Sequence, residues 1–220
     1  MPGQLLLEHV GNKLPHKPTW EKLVKAWGVV LDRYLQHEEG LDIPHWNTER
    51  SLTGFLAAAV WIRDGVALVE YATERHEENS DDKQATVSKG SCDLYIHLDD
   101  LDCAIEAKQD WPSDSSNENI NRIRQQLKSA DDQLDTLPKG KDQASVGMAI
   151  CWVVPKLDPN APNEEDVLKK LADAYIKSDH VVAIYHVPRK ERASLKDEEA
   201  ENDGRRYPGV ILVGRRIWSH

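Results

Sequence analysis

The sequence is short of several things that would settle its class at once. It has three cysteines, Cys92, Cys103 and Cys151, an odd number with no Cys-x-x-Cys spacing. That argues against a disulfide framework or a thiolate zinc module and favours a reducing, cytoplasmic location. The nine histidines show no His-Glu-x-x-His or similar ligand spacing. Ser51, Ser91 and Ser145 lack a Gly-x-Ser-x-Gly context, so a hydrolase triad is unsupported. There is no glycine-rich phosphate loop; Lys139-Gly140-Lys141 is short, isolated and reads as a turn. No apolar run approaches the ~20 residues of a membrane span, and the block Leu5-Leu6-Leu7 is too short for a signal peptide. Basic residues are outnumbered, 28 against 38 acidic, for a net charge of −10. That balance counts against a general nucleic-acid coating protein. It is compatible with an enzyme whose acidic site itself adds negative charge.

What is present fits one α/β domain over its 220 residues. Tryptophan is frequent and phenylalanine nearly absent, seven against one, and Trp20, Trp27, Trp61 and Trp152 are expected to anchor the core. Apolar steps of three and four predict a helix over Thr19 to Leu35, capped by Thr19 after Pro18. A connector follows over Glu38 to Asn47. A second helix is expected over about Glu49 to Arg63, capped by Asn47 or Thr48 and stopped at Asp64-Gly65. Val66 to Tyr71 reads as a strand, and the polar stretch Arg75 to Ser88 as a loop. Cys92 to Leu98 and Cys103 to Lys108 form a predicted hairpin around Asp99-Asp100. A helix over Asn119 to Leu137, a strand over Ser145 to Val154, a helix over Glu164 to Lys177 and strands over His180 to Val187 and Val210 to Ile217 complete the order. Arg189 to Arg206 is densely charged and reads as a solvated loop. Strands that alternate with helices after a hairpin imply a mixed central β-sheet flanked by α-helices.

The chemistry lies in the hairpin. With its turn at Asp99-Asp100, Leu98 faces Leu101, His97 faces Asp102, and Asp93 faces Glu106. Cross-strand partners share a face, with Cβ atoms about 4.5–5.5 Å apart, and Lys108 lies two residues beyond Glu106 on that face. Ile105, Ala107, Cys92, Leu94 and Ile96 are then expected on the other. Two carboxylates so close repel unless a cation lies between them. Mg²⁺ suits such a site, because it takes one or two carboxylates plus waters and substrate phosphates. Such an ion polarises a phosphoryl oxygen and acidifies a bound water, and Lys108 beside it can orient that water or offset developing charge.

These residues resemble the PD-(D/E)XK nuclease superfamily, with Asp93 as the strand aspartate and Glu106-Ala107-Lys108 as the Glu-x-Lys. Cys92 occupies the nominal proline position, where many members vary. The resemblance implies a restriction-endonuclease-like fold. It also implies a single domain over 1–220, with an N-terminal helical segment 1–47 and a nuclease-like core over about 48–188. It implies Mg²⁺ (or Mn²⁺) held by Asp93 and Glu106, with the carbonyl of Ala107 and an acidic residue from a preceding helix, for which Glu49 is the match. Gln109 resembles a polar position beside the lysine, and Glu70 is an alternative acidic ligand. The expected partner is nucleic acid, DNA ahead of RNA, and a homodimer is compatible with the family. Arg122, Arg124, Lys128, Lys139, Lys141, Arg215 and Arg216 are the candidate basic contacts. Each of these features has a plainer explanation. Glu49 in a first helical turn is favoured by the helix dipole alone, a solvated helix face accounts for Arg124 and Lys128, and His97 with Asp102 reads as a surface polar pair. The alternative function is a catalytically quiet protein of the same fold, acting by binding or regulating a protein partner.

Overall fold

The computed structural model describes residues 3–38, 48–78, 85–137, 144–158, 161, 163–188 and 205–219. In chain order its elements are β1 (Gln4–Val10), α1 (Lys17–His37), α2 (Glu49–Trp61), β2 (Val66–Glu78), β3 (Ala85–Leu98) and β4 (Leu101–Asp110). They are followed by α3 (Asn117–Leu134), β5 (Val146–Val153), α4 (Glu164–Asp173), β6 (His180–His186) and β7 (Gly209–Ser219). The strands form one seven-stranded sheet in the order β1-β6-β7-β5-β4-β3-β2. Every neighbouring pair is antiparallel except β4 with β5. That parallel pair needs a crossover, and α3 supplies it. The chain is therefore an α/β fold with a mixed, mostly antiparallel sheet flanked by helices.

Each face of the sheet has its own core. Beneath α1 and α2 lie Leu94, Ile96, Ile105, Ala107, Ile150 and Trp152. Beneath α3 and α4 lie Ala104, Ala149, Cys151, Val153, Val182 and Ile184. β5 is buried along its whole length, which explains its unbroken apolar run: a strand covered on both faces has no polar alternation. Trp27 stacks on Trp152 with ring centroids 5.9 Å apart, and Tyr185 meets Trp27 edge-on at 6.3 Å. The Tyr185 hydroxyl donates to Asp32 at 2.7 Å, so the ring is buried without stranding its polar end.

The predicted order of elements holds from α1 onward, with several corrections. β1 was visible in the sequence only as its leucine triplet; it pairs antiparallel with β6 from Gln4↔His186 to Val10↔Val181. α1 begins two residues before Thr19, with His16 as N-cap at φ 54°. Pro18 is tolerated in the first turn because the amide it lacks would have no helical partner there, and Thr19 is buried within the helix. Thr48 is the N-cap of α2; Asn47 and nearly all of the expected connector lie outside the described residues. Trp20, Trp27 and Trp152 are core residues, but Trp61 is 55% exposed, because it closes α2 on the face turned away from the sheet. The polar stretch after Tyr71 is not a loop from Arg75 to Ser88: β2 and β3 stay paired out to Glu78↔Ala85. A two-stranded ladder satisfies its backbone whatever its side chains, so low hydrophobicity hid it. Arg206, expected in a solvated loop, is 7% exposed and donates to Glu164 at 2.9 Å. The rest of that loop through 204 lies outside the described residues. Among the described residues no helix is long and apolar enough to cross a membrane.

Truncating the stacked tryptophan should be costly and truncating the exposed one cheap. Trp152→Ala is expected to lower unfolding stability by about 3–5 kcal/mol, and Trp61→Ala by no more than about 0.5 kcal/mol, both read by denaturant titration.

Candidate functional site

The hairpin register is as the sequence implies: Leu98↔Leu101, His97↔Asp102, Ile96↔Cys103, Tyr95↔Ala104 and Leu94↔Ile105. Asp99, at φ 53°, makes the turn. Its carboxylate is held by Lys22 at 3.0 Å, tying the turn to α1. His97 and Asp102 do form the expected surface pair, 2.7 Å apart, joined by the Tyr95 hydroxyl at 2.8 Å.

The ladder stops one step short of the site. Asp93 and Glu106 do not pair through their backbones. The Asp93 carboxylate instead accepts from the Ala107 amide at 2.8 Å, so a side chain continues the ladder where the backbone has left it. On its other side, β3 pairs with β2 through Val69↔Leu94 and then Tyr71↔Cys92, skipping Asp93 and Glu70. Glu70 sits at φ 54°, far from strand geometry. β3 is therefore kinked at Asp93, and the kink reverses its facing. Leu94 and Ile96 pack under α1 and α2 as expected, whereas Cys92 joins the core under α3, contrary to simple alternation. Its thiol donates to the carbonyls of Leu94 and Ile105. Burial, then the nearby Glu106, push its pKa up to about 12, with Asp93 adding a smaller upward push. It is a neutral thiol.

The departure of β3 opens a gap along one edge of β4. Ser145 N–H donates to the Asp102 carbonyl and Val154 N–H to that of Asp110, so even-numbered β4 carbonyls turn toward β5. Odd-numbered residues turn theirs the opposite way, since the N–H and C=O of one strand residue point to the same side. Ala107 and Gln109 thus direct their backbone groups into the gap. The Ala107 amide is taken by Asp93 and the Gln109 amide by Glu49, which reaches over from the first turn of α2. Thr53 fixes that turn. Its hydroxyl donates to the Glu49 carbonyl at 2.9 Å and accepts from Trp152 Nε1 at 3.2 Å, so the helix start is bolted to the core.

Glu106 and Lys108 lie beside Ala149 and Cys151 of β5, on the α3 side of the sheet. Glu106 is 2% exposed, and Lys108 is half-buried. Glu49 feels both Lys108 and Asp93. Its pKa is raised, first by burial, then eased by Lys108, raised by Asp93 and eased by the Gln109 amide. Asp93, Lys108, Glu49 and the Gln109 amide therefore interact around one gap with Ala107 in its wall, whereas Glu106 is buried on the α3 side near Cys92. A cleft of about 100 Å³ continues the gap toward β2, lined by Glu49, Arg50, Thr53, Val69, Glu70 and Asp93. Among the described residues no group of three histidine, cysteine, aspartate or glutamate side chains stands close enough to hold a metal ion. The donor types are nonetheless the hard oxygens that Mg²⁺ takes: carboxylates and a backbone carbonyl.

Two features escaped the sequence. Asp110 follows Glu106 and Lys108 at the same two-residue step, is 3% exposed, and is gripped by Arg122 of α3 through both carboxylate oxygens at 2.8 and 2.9 Å. That spacing was the available signal. Arg50 pairs with Glu70 across the cleft. Of the candidate basic contacts, Arg122 is thus committed to Asp110. Arg124 reaches Asn121, Arg215 is paired with Asp131, and Arg216 donates to the Lys13 carbonyl. Lys128 is exposed; Lys139 and Lys141 lie outside the described residues.

No family model matches the chain, and no curated protein matches it. A solved chain described as the crystal structure of SSO0001 is similar over 70% of this chain and 72% of that one, at 17% identity and a TM-score of 0.25. A likeness that slight carries no argument.

Two outcomes follow from these contacts. A carboxylate whose folded pKa is raised contributes stability below its unfolded pKa and loses it as pH climbs through the folded value. The melting temperature of the wild type should therefore fall relative to that of Glu49→Gln as pH rises above the ordinary glutamate value of 4.5. Arg122→Ala strands a buried carboxylate and should lower unfolding stability by about 1–3 kcal/mol, measured by denaturant titration; an unchanged midpoint would mean that Asp110 finds water instead.

Proposed function

We propose that the chain is a divalent-metal-dependent phosphodiesterase, a nuclease of the PD-(D/E)XK type on a restriction-endonuclease-like sheet. The observation that carries this reading is the Asp93 carboxylate on the Ala107 amide. It brings the aspartate of β3 to the Glu106-Ala107-Lys108 segment of β4 at the point where the strands part. A splayed pair of strands is what lets a phosphate reach side chains that a closed ladder would bury.

In this reading Asp93 and Glu106 would hold Mg²⁺ or Mn²⁺ with the Ala107 carbonyl, Glu49 would have to draw closer to join them, and the rest of the sphere would be left to water and phosphate. Bound there, the ion would polarise the phosphoryl oxygen and supply an acidified water. Lys108 orients that water and offsets charge developing on the phosphate. Gln109 anchors Glu49 through its backbone amide. The Cys92 thiol, neutral and buried, takes no part beyond packing behind the two carboxylates. DNA is the favoured substrate over RNA.

A second reading, a quiet site in a protein that acts by binding a protein partner, draws on the surface. Trp61, Ile62, Val66, Leu68, Val69 and Tyr71 are each about 40% or more exposed, and β2 is an edge strand. Such surfaces mark interaction sites.

The deciding experiment is cleavage of plasmid and single-stranded DNA with Mg²⁺ or Mn²⁺, wild type beside Asp93→Ala and Lys108→Ala. Cleavage by the wild type and its loss by at least about a hundredfold in both variants, with melting curves retained, is expected. Full activity in either folded variant sinks the assignment. No cleavage by any of them, with no heat of binding on titration with either metal, turns the case toward the partner-binding reading.

A further inference from the structure

The cleft beside the gap brings together more charge than a hydrolytic centre alone explains. Glu49, Glu70 and Asp93 line it with carboxylates, and among the described residues lining it Arg50 carries the positive charge. Arg50 follows Glu49 in the first turn of α2, so its guanidinium is anchored beside a residue already fixed to the gap through the Gln109 amide. Its partner there is Glu70. Glu70 lies at the kink, skipped with Asp93 in the β2–β3 ladder, at φ 54°. A non-glycine residue held at positive φ inside a strand is uncommon, and such strain concentrates at functional sites. Yet the pair it makes is open to water, with side chains 73% and 52% exposed. An ion pair in that setting contributes little to stability.

We propose that Arg50 is the residue that grips the substrate phosphate, and that Glu70 holds it aside until the phosphate arrives. This rests on the phosphodiesterase reading and adds to it the group that first receives the anion. A phosphodiester approaching Asp93 and Glu49 through the cleft meets like charge and needs a cation at the entrance. Lys108 stands on the α3 side of β4, whereas Arg50 stands on the open side. A guanidinium offers parallel N–H groups to two phosphate oxygens, a contact stronger than the exposed carboxylate pair it replaces. The exchange conserves charge at Arg50, one anion for another, and releases the Glu70 carboxylate into the open cleft. A weak, exposed pair suits such an exchange, because a buried one would resist it.

The test uses the full chain and a fluorescently labelled single-stranded oligonucleotide, followed by anisotropy at low salt with metal chelated. Arg50→Ala should weaken binding about tenfold and reduce the salt slope by about one, with partial recovery in Arg50→Lys. Glu70→Gln, which removes the competing charge and keeps the shape, should tighten binding severalfold. Weakening by Glu70→Gln, indifference to both substitutions, or a wild type that does not bind the oligonucleotide overturns the proposal. Melting curves establish that each variant is folded, and Glu70→Gln carries the test should Arg50→Ala not fold. Metal-dependent cleavage on the same samples separates the two readings. Binding shifts of opposite sign with no cleavage by the wild type would refute the hydrolase and leave Arg50 as an anion contact.

Discussion

A β-strand cannot leave its neighbour without exposing backbone amides, and the whole site follows from how this chain meets that requirement at β4. Where β3 turns away, the Ala107 amide goes to the Asp93 carboxylate and the Gln109 amide to Glu49. Each substitution of a side chain for a backbone partner brings a negative charge to the opening. The same geometry that repairs the sheet edge therefore assembles acidic groups around it, and Lys108, on the same strand, lies close enough to temper Glu49. Structural repair and chemical placement are one set of contacts.

The rigid half of this arrangement is supplied from the core. β5 is buried on both faces and pairs with β4 along its length, which sets Glu106 and Lys108 against a strand packed into the core. Trp152 of β5 reaches the start of α2 through Thr53, and so sets where Glu49 and Arg50 stand. The Asp110–Arg122 contact ties the far end of β4 to α3. The other half is β2 with the outer part of β3, an edge ribbon whose ladder skips Glu70 and Asp93.

Much of this was legible in the residues, and the gaps have physical causes. The two-residue turn at Asp99-Asp100 and the alternation around it fixed the hairpin register, because a shift by one residue would turn every apolar side chain to the wrong face. The same alternation misplaced Cys92, since a kink is a backbone event with no side-chain period of its own. The outer ladder of β2 and β3 was missed because it is polar, and β1 because its mixed burial left only a leucine triplet to read. Glu49 came from the family resemblance, as the acidic residue on the helix before the first predicted strand. Arg50, its neighbour, was missed: the opposing Glu70 is distant in sequence, and only the fold brings the two together.

The placement of β1 bears on how the chain reaches this state. Among the described elements β1 comes first in the chain, yet the strand it pairs with is β6, more than one hundred and seventy residues later. β7, which comes later still, is what joins β6 to the rest of the sheet. The strands from β2 to β5 have one another as partners by the time β5 is complete, while the other edge of β5 still awaits β7. The segment that carries the candidate site can thus close early on a growing chain, while α1 waits with its apolar face only partly covered. Interrupted synthesis would then yield fragments that hold a formed acidic gap while β5 lacks β7 and Trp27 lacks its contact with Tyr185, a combination suited to capture by chaperones rather than to catalysis.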